Sequence, residues 1–293
     1  MTSFYKLSGA GNDFIALVEP TTPEGAVTAP SADEIRAWCR RGLSLGADGL
    51  FLLARTGPAA ARMSYFNADG GAAALCLNGT RCAARLAFEL GWADGGAAVT
   101  VETGAGRHRA RRLSDTEVEV EVPPLARPPE PRELAVERRR LRGWTVSVGV
   151  PHLVLEWPEE LAQAPVASLG PLLRRHPDLG PEGANVDFVR FDRPAAGRGG
   201  RIAVRSYERG VEAETLACGT GVLAAAAVAL AGGRAGLPIE ATTRGGFVLT
   251  VGGEAGAGGR PGSWSLAGDA RIVARGTLER EAAALPAPEC LRG

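Results

Sequence analysis

An internal repeat constrains the fold of this 293-residue chain more than any other feature of its sequence. A shift of 142 residues places Tyr65 on Tyr207 and Cys76 on Cys218. Each cysteine follows a strand-like segment and a polar loop, and each precedes an Ala-rich stretch with helical spacing, at 78–90 and 219–231. The repeat therefore predicts two similar α/β domains related by a pseudo-twofold axis.

Two further matches extend the repeat beyond the cysteines. A shift of 140 residues aligns Thr103 with Thr243, and the segment GNDFI (11–15) resembles ANVDFV (184–189) with one residue inserted. Because the matches occur in a fixed order, they favour gene duplication over chance similarity in an Ala- and Gly-rich chain. A helix is also predicted over 31–41, with Ser31 as N-cap and Glu34 completing a capping box.

Composition excludes several classes of protein. The 33 basic and 33 acidic residues cancel, so nucleic acid and anionic membranes are not expected as partners. Lys6 is the only lysine, and it lies beside the N-terminus, so a pyridoxal phosphate Schiff base is not expected. Three histidines and no C-x-x-C pair do not suggest a zinc site. We therefore predict no metal and no cofactor.

Cysteine usage and hydropathy predict a reduced, cytoplasmic protein. Five cysteines are too few, and odd in number, for a disulfide scaffold. The N-terminal segment lacks the apolar core of a secretory signal. The longest apolar run, Val222–Ala231, is too short to span a bilayer.

The position of the repeated cysteines suggests their chemistry. The first turn of a helix carries N–H groups without helical partners and a positive partial charge, which stabilise a thiolate and can also bind a carboxylate. Two such helix starts facing each other would place thiols on both sides of a bound molecule. One thiolate could then remove a proton from a carbon alpha to a carboxylate, and the opposite thiol could return a proton to the other face.

The chain resembles the diaminopimelate epimerase family over nearly its full length. Eight motifs carry the resemblance in order: SGAGNDF (8–14), GADGL (46–50), FNADGG (66–71), CLNGTRC (76–82), GVPH (149–152), ANVDF (184–188), YERG (207–210) and ETLACGTG (214–221). The resemblance implies a cofactor-independent isomerase that interconverts LL- and meso-diaminopimelate, with a curled mixed sheet around a central helix in each of two pseudo-symmetric α/β domains.

The resemblance also implies roles for individual residues. Cys76 and Cys218 match the catalytic acid and base, and His152 and Glu208 match groups that assist the thiols. The residues that match substrate-binding positions are Asn12, Asn67, Leu77, Asn78, Asn185, Glu208, Arg209, Gly219 and Thr220. An asparagine amide can bind both an ammonium and a carboxylate, and Arg209 suits a distal carboxylate.

The expected domains are an N-terminal half over 1–126, a C-terminal half over 127–270, a strand at 271–280 that returns to the first half, and a frayed tail over 281–293. The Pro-rich segment 123–131 is the expected linker. Four residues depart from patterns found in the family: Leu77 replaces a Gly, Val150 an Asn, Gly49 a Gln and Ala274 a Tyr of the dimer interface. A homodimer remains compatible with this sequence.

Two alternative functions stay open at this point. Val150 favours a related cofactor-free racemase or epimerase that acts on histidine or a proline derivative. The third possibility, from another class, is a thiol redox protein or a non-catalytic ligand-binding protein on the same scaffold. The motif GLSLG (42–46) has the spacing of a serine nucleophile elbow, but a predicted helix precedes it and a strand follows, the reverse of the order that this motif requires.

Overall fold

The computed structural model describes residues 2–19, 29–93, 98–192, 199–253 and 263–284, and the chain divides into two compact units. The first unit runs to Val118 and resumes at Ala270, and the second is Glu119–Asp269. The predicted boundary after residue 126 therefore falls eight residues later than the observed one. The reason is that β8, the strand Glu117–Val122, pairs with β17, the strand Trp264–Asp269, within the second unit.

The first unit contains one mixed sheet in the order β18–β1–β2–β3–β4–β6–β7, with the short β5 also on β4. Only β2–β3 and β4–β6 are parallel pairs in this sheet as described. Its elements are β1 (Thr2–Gly9), β2 (Asn12–Val18), α1 (Ala32–Cys39), β3 (Gly49–Gly57), β4 (Ala60–Asn67), β5 (Ala72–Ala73), α2 (Leu77–Glu89), β6 (Ala98–Thr103), β7 (Gly106–Arg112) and β18 (Arg271–Leu278).

The second unit repeats this pattern of pairing. Its strands pair in the order β9–β10–β11–β12–β13–β15–β16–β17, with β14 also on β13, and β11–β12 and β13–β15 are the parallel pairs. The remaining elements are β9 (Glu130–Val136), β10 (Arg139–Val148), β11 (Val150–Glu156), α3 (Val166–Arg174), β12 (Asn185–Phe191), β13 (Gly200–Glu208), β14 (Ala213–Thr215), α4 (Gly219–Ala231), β15 (Ile239–Thr243) and β16 (Val248–Gly252).

Each sheet is built around one central helix. In the first unit α2 packs against β1 and β18 at one end of the sheet and against β6 and β7 at the other, so the sheet must curl around the helix. In the second unit α4 packs against β10 to β13 and against β16. The Ala-rich sequence of α4 suits this position, because ten of its residues are buried and small side chains allow strands to approach on all sides.

Strand pairing corrects the repeat at residue level. Tyr65 of β4 pairs with Ala73 of β5, which is three residues before Cys76. Ser206 of β13 pairs with Thr215 of β14, which is three residues before Cys218. Tyr65 therefore corresponds to Ser206, and the predicted match of Tyr65 with Tyr207 is off by one. A one-residue offset matters, since alternate residues of a strand face opposite sides of the sheet.

A second match of the repeat also fails. GNDFI lies at the start of β2, which has β11 as its counterpart, whereas ANVDFV enters β12, the counterpart of β3. The two similar segments therefore lie on strands that are not equivalent in the two units. The correspondence of the two cysteines stands, because each precedes the central helix of its unit.

Several local predictions can be compared with the structure. The capping box of α1 is present, with Ser31 and Glu34 bonded reciprocally. Strand β9 begins at Glu130, inside the segment expected as a linker, and pairs with β10.

The predicted frayed tail begins too early, because a 3-10 turn at Arg280–Ala283 places Ala282 and Ala283 against the core of the first unit. Residues 285–293, with Cys290, lie outside the described residues, as do most of the predicted loops at 194–200 and 252–262. In the portion of the chain that can be described, no helix is long and apolar enough to cross a membrane.

Candidate active site

The two candidate thiols occupy the same position on equivalent helices. Cys76 is the N-cap of α2, and its sulfur accepts a hydrogen bond from the N–H of Gly79 at 3.4 Å. Cys218 is the N-cap of α4, and its sulfur accepts from the N–H of Gly221, also at 3.4 Å. N-cap residues are usually Ser, Thr, Asp or Asn, whose oxygen makes this bond. A cysteine there places sulfur at the positive end of the helix dipole.

In the first unit an amide lies beside the thiol. The Cys76 sulfur is half-buried and lies 3.9 Å from Oδ1 of Asn12, which it approaches as a donor. The other end of this amide donates from Nδ2 to Oδ2 of Asp48 at 2.6 Å. Asp48 belongs to the motif GADGL (46–50), and its sequence context alone does not indicate a role in the site.

The remaining predicted residues of the first unit lie at the start of α2 and at the end of β4. Leu77 and Asn78 form the first turn of α2 and are buried. The Asn78 side chain accepts a hydrogen bond from Nη2 of Arg81 at 2.9 Å. Asn67 ends β4, where its backbone closes a turn with Gly70 and Gly71.

In the second unit a buried His–Asp pair lies next to the predicted residues. Nδ1 of His152 lies 2.7 Å from Oδ2 of Asp187, and neither side chain is exposed to solvent. The other carboxylate oxygen of Asp187 accepts from the hydroxyl of Ser206 at 2.6 Å. A Cβ added to Gly221 would overlap this carboxylate, so glycine is required in the first turn of α4. The geometry fixes the ring of His152, because a fully buried carboxylate must keep its partners.

Asn185 links His152 to the turn that follows β13. Its Nδ2 lies 3.4 Å from Nε2 of His152, and its Oδ1 accepts from the backbone N–H of Arg209 at 2.7 Å. The guanidinium of Arg209 pairs with the exposed Glu182 at 2.9 Å. An exposed pair of this kind is weak, so the Arg209 side chain can exchange Glu182 for another carboxylate at little cost.

Glu208 and Cys218 are direct neighbours. The Glu208 carboxyl accepts a hydrogen bond from the Thr215 hydroxyl, and the Cys218 thiol lies close enough to lower the pKa of that carboxyl. Burial raises the pKa of Glu208, although Thr215 and Cys218 oppose the rise. The Cys218 sulfur also lies 3.4 Å from the Thr220 hydroxyl, and Gly219 forms the first residue of α4.

The environment of Cys218 favours its neutral form. Burial raises the pKa of this thiol well above 9.0, and the carboxylates of Glu208 and Asp187 raise it further. Hydrogen bonds from Thr220 and from the Gly221 N–H act in the opposite direction but are weaker. Cys218 can therefore hold a proton at neutral pH and deliver it to a strong base such as a carbanion.

The sequence indicates that Asp187 has a buried partner, although it does not identify that partner. Asp187 interrupts the apolar strand segment NVDFV, and a carboxylate in such a run must have a partner inside the protein. Histidine is the natural candidate for that partner. Asp48 had a weaker signal, since an Asp before a Gly is common in turns. Within the described ranges, no group of His, Cys, Asp and Glu side chains is arranged to hold a metal ion.

Two mixed-sheet units, each with one central helix, form a fold that this chain shares with solved structures of racemases and epimerases. A probable proline racemase from Agrobacterium radiobacter superposes with a TM-score of 0.67 at 18% identity, covering 96% of this chain and 93% of its own. A hydroxyproline epimerase from Agrobacterium vitis gives 0.66 at 17% identity, with 94% and 91% covered. These likenesses show the fold.

Within that class, the sequence determines the family. The model of the family described as diaminopimelate epimerase matches residues 4–124 and 144–258, and the chain belongs to this family. Diaminopimelate epimerase from Aquifex aeolicus is 38% identical over 258 residues, covering 85% of this chain and 88% of the relative. The protein of that name from Gemmatimonas aurantiaca is 40% identical over 225 residues, with 76% and 78% covered. The protein is thus an enzyme of the isomerase class.

Proposed function

We propose that this protein interconverts LL- and meso-diaminopimelate by inversion at the α-carbon, with two cysteines as acid and base. The observation that carries the proposal is the pair of thiols at equivalent N-caps, Cys76 on α2 and Cys218 on α4, in a chain of this family. The proposal requires both sulfurs to act on opposite faces of one carbon.

The chemistry needs only the two thiols. The thiolate of one cysteine takes the α-proton, so an S–H bond forms as the C–H bond breaks and a carbanion develops. The opposite thiol then gives its proton to the other face of the carbanion and becomes a thiolate. Proton and charge balance, and the two sulfurs exchange protonation states in each turnover.

The second unit supplies the protonated partner. Burial and the neighbouring carboxylates raise the pKa of Cys218, so this residue meets the substrate as a thiol. Glu208 lies beside that thiol and can accept its proton when the enzyme must be reset. His152, oriented by Asp187, completes the group of assisting side chains.

Substrate binding is assigned to polar side chains and to the two helix starts. Amide N–H groups of the first helical turn bind carboxylates well, because they lack helical partners and carry positive partial charge. Arg209 suits the distal carboxylate, since its guanidinium can form two parallel hydrogen bonds. The proposed binding residues are Asn12, Asn67, Leu77, Asn78, Asn185, Glu208, Arg209, Gly219 and Thr220.

We also propose a homodimer located in the cytoplasm. Strand β18 pairs with β1, and its residues 273–277 are exposed, with Val273 at 60%. Such a strand offers a surface for a second copy. The described cysteines form no disulfide, which agrees with a reducing compartment. Light scattering should give twice the chain mass of 30.3 kDa, and a value near 30.3 kDa would disprove the dimer.

Incubation of the purified protein with LL-diaminopimelate in deuterated water tests the function. We expect meso-diaminopimelate to appear and deuterium to enter the α-carbon, because the returned proton comes from a thiol that exchanges with solvent. Chiral chromatography and mass spectrometry measure the two products. The double variant Cys76→Ala/Cys218→Ala serves as the matched control.

The same assay separates the alternatives. Turnover of histidine or 4-hydroxyproline without turnover of diaminopimelate would move the protein to another substrate, as Val150 suggests. No labelling of any amino acid would contradict an isomerase and would favour a thiol redox or binding role.

A further inference from the structure

The orientation of the Asn12 amide is set from outside the site. An amide side chain can place either its oxygen or its nitrogen towards a neighbour, and its hydrogen-bond partners decide between the two. The Asp48 carboxylate can only accept, and it takes a hydrogen bond from Nδ2 of Asn12 at 2.6 Å. Oδ1 of Asn12 is therefore the atom that faces the Cys76 sulfur, 3.9 Å away.

Asp48 is itself held in place by several bonds. Its Oδ1 accepts from Nη2 of Arg41 at 2.8 Å, and its Oδ2 accepts from the backbone N–H of Asp13 at 3.1 Å. The backbone N–H of Asp48 donates in return to the Asp13 carbonyl at 2.9 Å. These bonds fix both the backbone and the carboxylate, so Asp48 has little freedom to follow a rotated Asn12 amide.

Lys6 ties the loop of Asp48 to the loop of Asn12. Its ammonium lies 2.7 Å from Oδ2 of Asp13 and also donates to the carbonyl of Gly46, two residues before Asp48. Both members of the Lys6–Asp13 pair are more than four-fifths buried. Burial raises the pKa of Asp13, but hydrogen bonds from Arg41 and Lys6 outweigh it, so the pKa lies below its ordinary value.

The composition of the chain supports a specific role for this lysine. Lys6 is the only lysine among 33 basic residues. A compact ammonium can donate to a carbonyl and a carboxylate from one point, whereas the planar guanidinium needs more room. The one lysine of a chain that otherwise uses arginine therefore lies where one ammonium group contacts both a carboxylate and a carbonyl.

We propose that Asp48 is a positioning residue for the isomerase reaction, supported by Arg41 and by the Lys6–Asp13 pair. It holds the Asn12 oxygen towards the site, where that oxygen accepts a hydrogen bond from the ammonium group of the substrate. This inference rests on the function proposed above. A substrate ammonium can only donate, so a rotated amide would present its own N–H groups and repel it.

A double-mutant cycle tests this role. Asp48→Asn keeps the shape of the side chain but replaces a carboxylate, which can only accept hydrogen bonds, by an amide that can also donate. We expect KM for LL-diaminopimelate to rise roughly ten-fold with a smaller change in kcat. In an Asn12→Ala background the same substitution should change KM less than two-fold, since Asp48 acts only through Asn12. Asp33→Asn is the matched control, because Asp33 is an exposed carboxylate paired with Arg36, and it should leave KM unchanged.

Additive effects of the two substitutions would overturn the proposal, as would an Asp48→Asn enzyme with unchanged KM. Melting temperatures of all variants separate positioning from a loss of folding. If the wild-type protein does not turn over diaminopimelate, the proposed function fails, and a readout without activity still tests the positioning. The side-chain amide hydrogens of Asn12, identified in NMR spectra by their loss in Asn12→Ala, should exchange with solvent faster in Asp48→Asn than in the wild type. Equal exchange would contradict the role of Asp48.

Discussion

The two units build the same helix start and surround it with different chemistry. Cys76 and Cys218 have similar N-cap geometry and the same 3.4 Å bond to the third N–H of the helix. Beside Cys76 stands the neutral amide of Asn12, and the thiol is half-buried. Beside Cys218 stand the carboxylates of Glu208 and Asp187, and the thiol is only 5% exposed.

The difference shows which features of the site the backbone sets and which the side chains set. Equivalent strand pairings and central helices place a sulfur at the positive end of a helix dipole in both units. The helix dipole alone would lower the pKa of both thiols. In the second unit burial and two carboxylates outweigh the dipole, so the pKa of Cys218 rises. A duplicated fold can therefore supply an acid and a base from one residue type.

The largest expected effect is the loss of either thiol. Cys76→Ser and Cys218→Ser should each lower kcat by at least about 1000-fold, because a serine hydroxyl is far too weak an acid to exchange protons with the α-carbon near neutral pH. The comparison predicts similar losses in both units, since the proposed mechanism uses both sulfurs in each turnover. Steady-state epimerisation of LL-diaminopimelate measures the effect.

Cys82 provides the control for this experiment. It lies in the same helix as Cys76 but is fully buried, so Cys82→Ala should lower the melting temperature while leaving kcat within a few-fold of the wild type. A loss of activity in Cys82→Ala as large as in Cys76→Ser would show that the cysteines act through structure and not through proton transfer.

The next effect concerns the buried pair of His152 and Asp187 in the second unit. Asp187→Asn removes the charge that orients the His152 ring and also a carboxylate that raises the pKa of Cys218. We expect kcat to fall about 100-fold and its pH profile to shift to lower pH, since the Cys218 thiol loses a proton more easily. The pH dependence of kcat measures both changes.

An exposed pair offers the matched comparison. His176 and Asp178 also form a His–Asp pair, at 3.7 Å, but Asp178 is 63% exposed. Asp178→Asn should therefore change neither kcat nor its pH profile. Equal effects of the two substitutions, or a profile in Asp187→Asn that does not move, would contradict the assigned role of Asp187.

Sequence reasoning found the elements with strong local signals. The capping box at Ser31 and the Ala-rich stretches gave α1, α2 and α4 with their ends nearly in place. Helix α3 was missed, since Gly170 and Pro171 lie within its nine residues and both disfavour helix. The register of the repeat was also wrong by one residue, because Tyr65 and its partner Ala73 are eight positions apart whereas Ser206 and its partner Thr215 are nine apart, which a fixed shift cannot follow.

The candidate site divides along the same line. The two cysteines could be predicted as site residues because each precedes a helix. The family motifs identified the asparagines, His152 and Glu208 as further site residues. Asp48 and Asp187 could not be predicted as site residues, since each contacts a partner about 35 residues away on a neighbouring strand. Only strand pairing brings those partners together: His152 of β11 lies opposite Asn185 of β12, and two residues further along β12 comes Asp187.

The smallest expected effect is a difference in thiol reactivity, and it tests the comparison of the two units directly. At pH 8 iodoacetamide should alkylate Cys218 at least about ten-fold more slowly than Cys76, because only the thiolate reacts and Cys218 is both buried and held as a thiol. The rate at Cys218 should continue to rise above pH 9, since its pKa lies well above 9.0. Peptide mapping by mass spectrometry gives each rate separately, with the buried Cys39, whose thiol pKa burial raises to about 12, as an internal reference for slow labelling. Equal rates at the two cysteines, or a rate at Cys218 that levels off below pH 9, would mean that the carboxylates of the second unit do not keep this thiol protonated, and the division of acid and base between the units would have to be abandoned.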